Sequence, residues 1–282
     1  MTRKQLAMSL ITKAFEEILK PCLDSPEDVR IWHKETALKG AAEAVTSLDT
    51  AIGEFLVQGI RANHVEDEIL CEETGHHVCS VACDENWTWV IDPIDGTDVL
   101  VDYLSGRRQD GGFVIQMAVG RNWRPEVGVI FDPTTLQMNI GEAGLGFEIW
   151  ERGTCRSRLK GAVVTPFPRK ELNIVCWPEC LTTLGGDRVI KSTVCMGLSL
   201  LQVAVGEIDV FVFPLGSSKI WDTAPAMPLL WERDCVLVDR SGIEYKTMKE
   251  PVNSRGLIAC RREILTGFLD RYGARINWQC DI

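Results

Sequence analysis

The sequence predicts the α/β fold class, with helices and sheets stacked in layers. Three observations support this prediction: apolar residues recur at helical spacing near the N-terminus, short apolar runs separated by turn signals follow, and the second half alternates between strand-like and helix-like segments. Such an order is typical of an α+β half joined to an α/β half. We expect these halves to cover residues 1–150 and 151–282 and to form one compact unit, because no Gly/Ser-rich linker separates them.

The N-terminal half begins with helical patterns and continues with strands. Apolar side chains fall on one face of a first helix, at Leu6, Leu10, Ile11, Ala14, Ile18 and Leu19. A second helix is expected to begin near Asp49. Apolar runs then predict strands over residues 69–71, 87–91, 113–119, 127–131 and 147–150, with turns at residues 132–133 and 141–146. We therefore expect a mainly antiparallel sheet packed on the first helices.

The C-terminal half alternates strands and helices. Strands are predicted over residues 173–177, 208–213, 235–239 and 256–260, and helices over residues 193–205, 222–232 and 262–272. Pro225 fits the first turn of the helix over residues 222–232. Pro228 is expected to distort that helix, because proline has no amide hydrogen to donate.

Composition and charge exclude several classes of function. The 282 residues are 45% hydrophobic and 25% charged, as in an ordinary globular enzyme, and 40 acidic against 30 basic side chains give a net charge of -10. A nucleic-acid polymer would be repelled by that charge, so none is expected as a partner. No membrane span is expected either, because no apolar run reaches about 18 residues. Residues 1–20, with Glu16, Glu17 and Lys20, predict an amphipathic helix rather than a signal peptide.

The cysteines predict reduced thiols in a cytoplasmic protein. Eleven of them are scattered along the chain, which is neither the density nor the even number of a disulfide scaffold. A cluster of histidines and cysteines could suggest zinc, at His76, His77, Cys79 and Cys83. Because structural zinc usually takes two well-formed ligand pairs, a surface loop is the favoured interpretation.

The segment WTWVIDPIDGTD carries the strongest chemical signal. An apolar strand leads into Asp92, and Pro93 is expected to end its pairing with neighbouring strands. Asp95 follows, before Gly96 and Thr97 open a helix. Two carboxylates at a strand end can converge on a hard cation, and Mg²⁺ prefers such oxygen ligands, while the amides at the helix start offer an anion site. On its own, the segment could equally be an acidic turn with a helix cap.

Further acidic positions strengthen the metal interpretation. Glu72 and Glu73 directly follow a short apolar run, so they form another carboxylate pair at a strand end. Thr46 and Asp49 lie at one helix start, and Asp222 lies at another. Each helix-start aspartate alone would be a cap more often than a ligand, so the argument depends on the whole constellation.

These segments resemble the motifs of the inositol monophosphatase family of magnesium-dependent, lithium-sensitive phosphomonoesterases. The family signature W-x-D-P-[IL]-D-G-T corresponds to residues 89–97, with one more residue here between its Trp and its first Asp. The family's G-E-E motif resembles residues 71–73, and its W-D-x-A motif resembles residues 221–224. Order and approximate spacing fit over residues 39–259. The resemblance implies a layered α-β-α-β-α fold of the sugar-phosphatase type.

The resemblance also implies a site for two to three Mg²⁺ ions. One ion would be held by Glu72, Asp92 and the carbonyl oxygen of Ile94. A second would be held by Asp92, Asp95 and Asp222, so most ligands come from the N-terminal half. Mg²⁺ in such a site activates water and neutralises phosphoryl oxygens, which requires no covalent phospho-enzyme.

The catalytic and phosphate-binding residues follow from the same resemblance. Asp49, Glu72 and Thr97 would be catalytic, and a third, looser ion would lie near Glu72 and Asp49. Thr97, paired with Asp49, would help to orient the attacking water. The amides of Gly96 and Thr97 would bind the phosphate of a small phosphorylated metabolite.

For the leaving group, the sequence favours the nucleotidase branch of the family. In the inositol branch, a glutamate seven residues before the W-D-x-A aspartate contacts inositol hydroxyls, and the corresponding Leu215 cannot make these hydrogen bonds. The segments SKIWDTAPAMPLL, VLVDRSGIEYKT and PVNSRGLIA resemble the nucleotidase branch, with Lys219 as a ligand for a second phosphate. The resemblance therefore implies a 3'(2'),5'-bisphosphate nucleotidase that converts 3'-phosphoadenosine 5'-phosphate to AMP and phosphate.

Departures from the nucleotidase pattern keep other functions open. Asp98 and Val99 stand where that branch usually has a basic residue followed by Glu, and a carboxylate beside a phosphate site is unfavourable. Arg107 and Arg108 could bind a second phosphate, but an exposed arginine pair is the favoured interpretation. The alternatives are an inositol monophosphatase or another sugar-phosphate phosphatase and, from another class, a catalytically silent metal- or phosphate-binding regulatory protein. The family includes monomers and homodimers.

Overall fold

The computed structural model of the protein describes residues 1–35, 42–77, 87–162, 171–176, 188–192, 194–213, 218–249 and 255–278. The α-helices in these ranges are α1 (Arg3–Ala14), α2 (Lys20–Asp24), α3 (Ser47–Asn63), α4 (Thr97–Leu104), α5 (Met196–Val205), α6 (Ile220–Thr223), α7 (Ala226–Glu232) and α8 (Leu265–Tyr272). A π-helical turn, Phe15–Leu19, joins α1 to α2, and 3-10 turns cover Pro26–Asp28, Arg262–Ile264 and Gly273–Arg275.

The strands form one hairpin and two larger sheets. They are β1 (Ile31–Glu35), β2 (Ala42–Thr46), β3 (Glu68–Cys71), β4 (Gly75–His77), β5 (Trp87–Asp95), β6 (Val114–Arg121), β7 (Arg124–Asp132), β8 (Gln137–Glu142), β9 (Gly146–Glu151), β10 (Thr154–Leu159), β11 (Asn173–Cys176), β12 (Arg188–Lys191), β13 (Val210–Phe213), β14 (Cys235–Val238) and β15 (Leu257–Arg261). β1 and β2 pair with each other as the hairpin.

The larger sheet has eight strands in the order β10-β9-β8-β7-β6-β5-β3-β4. Every pair in it is antiparallel except β3 with β5, which confirms the mainly antiparallel sheet predicted for the first half. The sequence missed β4, β8 and β10 of this sheet and both strands of the β1–β2 hairpin. β10 is only half-buried at alternate positions and therefore lacks an apolar run, and Gly141 in β8 was taken as the start of a turn.

The smaller sheet has five strands in the order β12-β11-β13-β15-β14. β11 runs parallel to both of its neighbours, whereas β15 is antiparallel to β13 and β14. The predicted strands over residues 173–177, 208–213, 235–239 and 256–260 are thus present, shortened or shifted by one or two residues. β12 had no signal in the sequence analysis.

Three apolar cores separate five layers of secondary structure. Residues of α1 and α3, such as Ile11 and Ile52, pack on one face of the eight-stranded sheet. α5 and α7 lie between the two sheets, with Leu200 and Leu229 in the central core. Phe268 of α8 packs on the outer face of the five-stranded sheet. Each such buried side chain contributes about 1.5–3 kcal/mol of transfer free energy. The order of layers confirms the predicted α-β-α-β-α fold.

Strand β5 shows why its sequence is almost continuously apolar. Trp89 and Ile91 belong to the core under α1 and α3, whereas Val90 belongs to the core between the sheets. Successive side chains of a strand point to opposite faces, so a strand covered on both faces needs apolar residues at every position. The core of the sheet therefore leads directly into the acidic end of β5.

The helix predicted over residues 222–232 is interrupted at Pro225, whereas the sequence predicted the distortion at Pro228. α6 ends at Thr223 and α7 begins at Ala226, with Ala224 and Pro225 in a turn between them. Neither Pro225 nor Pro228 can donate an amide hydrogen bond to the residue four positions earlier. Pro228 itself lies in the first turn of α7, where no intrahelical donor is required.

The division of the chain at residue 150 stays a prediction. That residue lies inside β9, and the eight-stranded sheet continues to Leu159 at the end of β10. The sheet that belongs to the N-terminal half therefore includes a short segment beyond the predicted boundary.

The cysteines and histidines can be placed where the structure describes them. Free thiols are found at Cys22, Cys71, Cys155, Cys176, Cys195, Cys235 and Cys260. His76 and His77 lie on β4, where His76 Nε2 is 2.8 Å from Glu68 Oε1. Cys79 and Cys83 lie outside the described residues. Within the described ranges, none of the helices combines the length and apolar character that crossing a membrane requires.

Candidate active site

The end of β5 brings Asp92 and Asp95 to the same side of the sheet. Side chains three positions apart would point to opposite faces of a regular strand. Here Asp92 is opposite Gln116 of β6 and Asp95 is opposite Val114, so β5 contains one extra residue in this interval. This bulge reverses the alternation, and both carboxylates accept hydrogen bonds from Gln116 Nε2, at 3.3 and 3.1 Å. The expectation that Pro93 ends the pairing is therefore wrong, because a bulge lets β5 continue to Asp95.

Asp222 joins this pair from the central helical layer. α6 begins after Lys219, and the Lys219 amide donates to Asp222 Oδ2 at 2.6 Å, which fixes the carboxylate at the helix start. One oxygen each of Asp92, Asp95 and Asp222 lies within 4.8 Å of the others. The structure thus brings together three of the six side chains proposed from the sequence as metal ligands and catalytic groups.

Burial and mutual repulsion make this cluster unfavourable without a cation. Burial, followed by the charges of Glu72, Asp95 and Asp222, raises the pKa of Asp92 well above its ordinary value. Burial also raises the pKa of Asp95 to about 6, although the Gly197 amide, Cys195 and Gln116 partly oppose it with hydrogen bonds. Like charges held in a buried site favour protonation or a bound cation.

The donor set fits Mg²⁺. Asp92 Oδ1 is buried and receives no hydrogen bond from the described residues, so this oxygen can bind an ion. All the groups that converge here are carboxylate oxygens, the ligands that hard divalent cations prefer. The carbonyl oxygen of Ile94, proposed as a further ligand, lies 3.1 Å from the Thr97 hydroxyl.

Asp49 is held at the start of α3 by a reciprocal cap. Thr46 is the N-cap, so α3 begins slightly before the predicted Asp49. The amide and hydroxyl of Thr46 donate to Asp49 Oδ2 at 2.8 and 2.5 Å. The Thr97 hydroxyl is 2.8 Å from Asp49 Oδ1. Burial raises the pKa of Asp49, although the hydrogen bonds from Thr46 and Thr97 oppose this effect.

Glu72 lies beside the acidic cluster at the end of β3. Its amide donates to the carbonyl of Ile91 at 3.1 Å, which extends the parallel pairing of β3 with β5. Glu72 Oε1 is 3.2 Å from Lys34 Nζ, and Glu73 Oε1 is 2.7 Å from the same atom. Glu72 is also close enough to raise the pKa of Asp92.

Three groups at this site were missed by sequence reasoning. Gln116 left a signal, because it is the one amide side chain in the apolar run FVIQMAV. Lys34 and the Gly197 amide left none. The Gly197 amide donates to Asp95 Oδ2 at 2.5 Å from the first turn of α5, where the helix dipole favours negative charge.

The predicted phosphate-binding turn opens α4. Gly96 is its N-cap with φ +89°, a left-handed conformation that glycine adopts at no steric cost. A Cβ at Gly96 would also lie 2.7 Å from Cys195 Cβ, so a larger residue would not fit. The first amides of α4 have no acceptors within the helix. Asp98, the unfavourable departure noted in the sequence, is exposed in the first turn.

The proposed substrate-side residues are only partly described. Lys219 is half-buried at the N-cap of α6, and Leu215 lies outside the described residues. Arg107 is exposed and forms an ion pair with Asp102, as expected for a surface arginine. The same expectation is wrong for Arg108, whose side chain is only 17% exposed, because it packs over Gly112.

Comparisons with known proteins agree with this arrangement. The family model of the inositol monophosphatase family matches residues 3–271. Nus factor SuhB of Salmonella typhimurium is 29% identical over 221 residues, which cover 74% of this chain and 76% of that protein. The IMPase of Thermotoga maritima superimposes with a TM-score of 0.73 at 21% identity, covering 96% of both chains. Inositol monophosphate-bound SaIMPase-II gives a TM-score of 0.74 at 19% identity, covering 97% of this chain and 94% of that chain.

At such low sequence identities the structural matches establish the fold alone. The class of enzyme follows from the match to the family model. Together with the layered fold and the acidic cluster, the family match defines a phosphomonoesterase. Because the family model covers nearly the whole chain, the chain belongs to the inositol monophosphatase family. Members of this family are generally magnesium-dependent and act on small phosphorylated substrates.

Proposed function

We propose that this phosphomonoesterase hydrolyses a small phosphorylated metabolite at a two-magnesium site. One ion would be held by Glu72, Asp92 and the Ile94 carbonyl oxygen, and the second by Asp92, Asp95 and Asp222. The convergence of the three aspartates within 4.8 Å is the observation that carries this proposal. Bound Mg²⁺ lowers the pKa of water and neutralises charge that develops on phosphoryl oxygens.

The chain's own residues would then orient the reactants. Thr97 donating its hydroxyl hydrogen to Asp49 Oδ1 leaves the lone pairs of Thr97 Oγ1 to accept a hydrogen bond from the attacking water. The amides of Gly96 and Thr97, at the start of α4, would donate to the phosphate. Asp49 would thus act through Thr97, while the helix cap formed with Thr46 holds its other oxygen.

For the leaving group we propose a phosphorylated adenosine nucleotide, with 3'-phosphoadenosine 5'-phosphate as the first candidate. Support comes from the C-terminal motifs and from Lys219, a cation directly before the helix that presents Asp222. SaIMPase-II, which shares the fold, has also been solved with 2'-AMP bound. An inositol phosphate is the second candidate, favoured by the family model and by the inositol monophosphate-bound form of the same protein.

The test is phosphate release from 3'-phosphoadenosine 5'-phosphate, 2'-AMP and myo-inositol 1-phosphate in parallel, with Mg²⁺, with Mg²⁺ and lithium, and with EDTA. We expect Mg²⁺-dependent release, inhibited by lithium, with the highest kcat/KM for the bisphosphate. A preference for the inositol phosphate would instead support the second candidate. No release from a wide panel of phosphomonoesters would contradict the proposal and favour the silent binding protein.

A matched pair of lysine variants tests the role of Lys219. We expect Lys219→Met to raise KM for the bisphosphate and to leave KM for inositol phosphate unchanged, because only the bisphosphate carries a second phosphate. Lys246→Met is the control, since Lys246 is exposed and pairs only loosely with Glu244 at 3.6 Å. Equal effects of Lys219→Met on both substrates would remove the argument for a second phosphate.

The remaining expectations from the sequence stay predictions. They are a cytoplasmic location, the absence of nucleic-acid polymers as partners, and a monomeric or homodimeric state. Size-exclusion chromatography with light scattering measures the last of these directly.

A further inference from the structure

Lys34 places an ammonium group at the edge of the proposed metal site. It lies on β1, and its Nζ is 2.7 Å from Glu73 Oε1 and 3.2 Å from Glu72 Oε1. The Lys34 ammonium therefore lies between two carboxylates.

The hairpin that carries Lys34 is tied to the segment that carries Asp49. β1 pairs with β2, and β2 ends at Thr46, the N-cap of α3. The base of the hairpin is closed by the Ser47 amide, which donates to the Arg30 carbonyl at 2.9 Å, and by the Arg30 amide, which donates to Ser47 Oγ at 3.2 Å. The position of the Lys34 backbone is thus coupled to the start of α3.

This region is where the family resemblance would place the third, looser ion, near Glu72 and Asp49. Glu72, one of the two glutamates bound by Lys34, donates its amide hydrogen to the carbonyl of Ile91, the residue before Asp92. Both oxygens of Asp49 already accept hydrogen bonds from Thr46 and Thr97. Glu72 Oε1 already faces the Lys34 ammonium, and a divalent cation placed beside that ammonium would be repelled.

We propose that the Lys34 ammonium takes the place of the third metal ion in this chain, so that the site binds two divalent cations rather than three. The inference rests on the proposed function, because it assumes that Asp92, Asp95 and Asp222 bind metal. Lys34 neutralises charge on Glu72 Oε1, the oxygen that it contacts. Because Lys34 is part of the chain, its charge does not depend on the magnesium concentration.

The experiment counts bound Mn²⁺, a paramagnetic probe for Mg²⁺ sites, by titration calorimetry and by the EPR signal of free Mn²⁺. The variants are Lys34→Met, which keeps the length of the side chain without its charge, and Lys34→Arg, which keeps the charge. We expect two ions in the wild type and in Lys34→Arg, and three in Lys34→Met, the third bound more weakly. Thermal unfolding of each variant in EDTA checks that all of them are folded.

Any other number of bound Mn²⁺ ions would contradict the inference, the proposed metal site, or both. Three ions in the wild type, or two in both the wild type and Lys34→Met, would overturn the inference and leave the proposed function intact. Three ions in Lys34→Arg would show that the shape of lysine, rather than its charge, excludes the ion, and would also overturn it. Fewer than two ions in the wild type would contradict the proposed metal site itself, and the inference with it.

Discussion

At the residue scale, the chain supplies its own donors to Asp95 before any metal binds. The Gly197 amide and Gln116 Nε2 both donate to Asp95 Oδ2, and Gln116 donates to Asp92 as well. Neutral donors of this kind orient a carboxylate but do not neutralise it, so its negative charge remains available to a cation. Residues that support the ligands of metal sites usually act in this way. Burial nevertheless keeps the pKa of Asp95 raised, to about 6.

Removal of the Asp95 charge should separate metal binding from folding. We expect Asp95→Asn to lower the affinity for Mg²⁺ by more than about 10-fold. Loss of a residue that only hydrogen-bonds to a metal ligand already lowers metal affinity by at least this factor, and loss of a ligand should cost more. The metal-free variant should unfold at a temperature no lower than that of the wild type, because a buried like charge beside Asp92 is gone. Titration calorimetry and thermal unfolding in EDTA measure the two effects.

The matched control is Asp102→Asn, a half-exposed aspartate of α4 whose partner is Arg107. It should leave Mg²⁺ affinity unchanged. Unchanged affinity in Asp95→Asn as well would argue against Asp95 as a ligand.

Asp239, which lies away from the metal site, should make the stability of the folded protein depend on pH. Burial alone would raise the pKa of Asp239, but hydrogen bonds from Ser241 and Ile243 and the charge of Arg255 outweigh it and lower the pKa below its ordinary value. The stabilisation is therefore complete above the pKa of the unfolded state, and it is lost as pH falls through the folded pKa.

We expect Asp239→Asn to lower the free energy of unfolding by about 1.5–3 kcal/mol at pH 7, the range for hydrogen bonds to a charged group. The difference in the free energy of unfolding between the wild type and the variant should become smaller as pH falls from 5 to 3. Urea unfolding at several pH values measures it, and a difference that stays constant across this range would show that the charge of Asp239 is not responsible.

At the element scale, the central helical layer depends on two glycines of the eight-stranded sheet. A Cβ on Gly128 of β7 would overlap the carbonyl oxygen of Pro225, and one on Gly141 of β8 would overlap the backbone of Leu229. These glycines let the backbone of α7 lie directly on β7 and β8. The turn before α7 directly follows α6. The same contact therefore also fixes the position of Asp222 relative to the eight-stranded sheet.

Gly128→Ala should therefore destabilise the protein by about 1–3 kcal/mol or more, as overpacking of a rigid interface does. Gly267→Ala in α8 is the matched control, because its Cβ would meet nothing within 4 Å. Alanine at position 267 should stabilise the helix by about 0.8–1 kcal/mol. Urea unfolding of both variants provides the comparison, and equal effects would show that the approach of α7 to β7 is not limiting.

At the scale of the whole molecule, the site is assembled from separate layers. Asp49 comes from α3 on the outer face of the eight-stranded sheet, Asp92 and Asp95 come from that sheet, and Asp222 comes from the layer between the sheets. A cation bound by Asp92, Asp95 and Asp222 links the eight-stranded sheet to the central helical layer. Metal binding should consequently stabilise the fold as a whole, because the unfolded chain has no such site.

Magnesium should raise the melting temperature in a concentration-dependent way. At 100 times the dissociation constant, ligand binding adds about 2.7 kcal/mol, which corresponds to roughly 5 °C for a chain of this size. Thermal scans from EDTA to millimolar Mg²⁺ measure the shift. The same scans on Asp95→Asn should show a much smaller rise, and an equal rise in both proteins would place the ion elsewhere.

Most of the secondary structure in the core was predictable because its signals are local. The apolar spacing that predicted α1 and α3, and the apolar run of β5, depend on residues close together in the chain. β10 was not predictable, since alternate half-buried polar residues on an edge strand leave no apolar run. The bulge that reverses the side-chain alternation at Asp95 was also invisible, because it exists only relative to β6.

By itself, the sequence determined the family, the layered fold class and the acidic residues proposed as ligands, because motifs and periodicity are properties of neighbouring residues. Tertiary structure decided which groups surround those carboxylates. Gln116 reaches Asp92 across 24 positions, Lys34 reaches Glu72 across 38, and the Gly197 amide reaches Asp95 across 102. Hydrogen bonds and charge pairs act over a few ångströms in space, and only the packing of the layers brings such distant positions within that range.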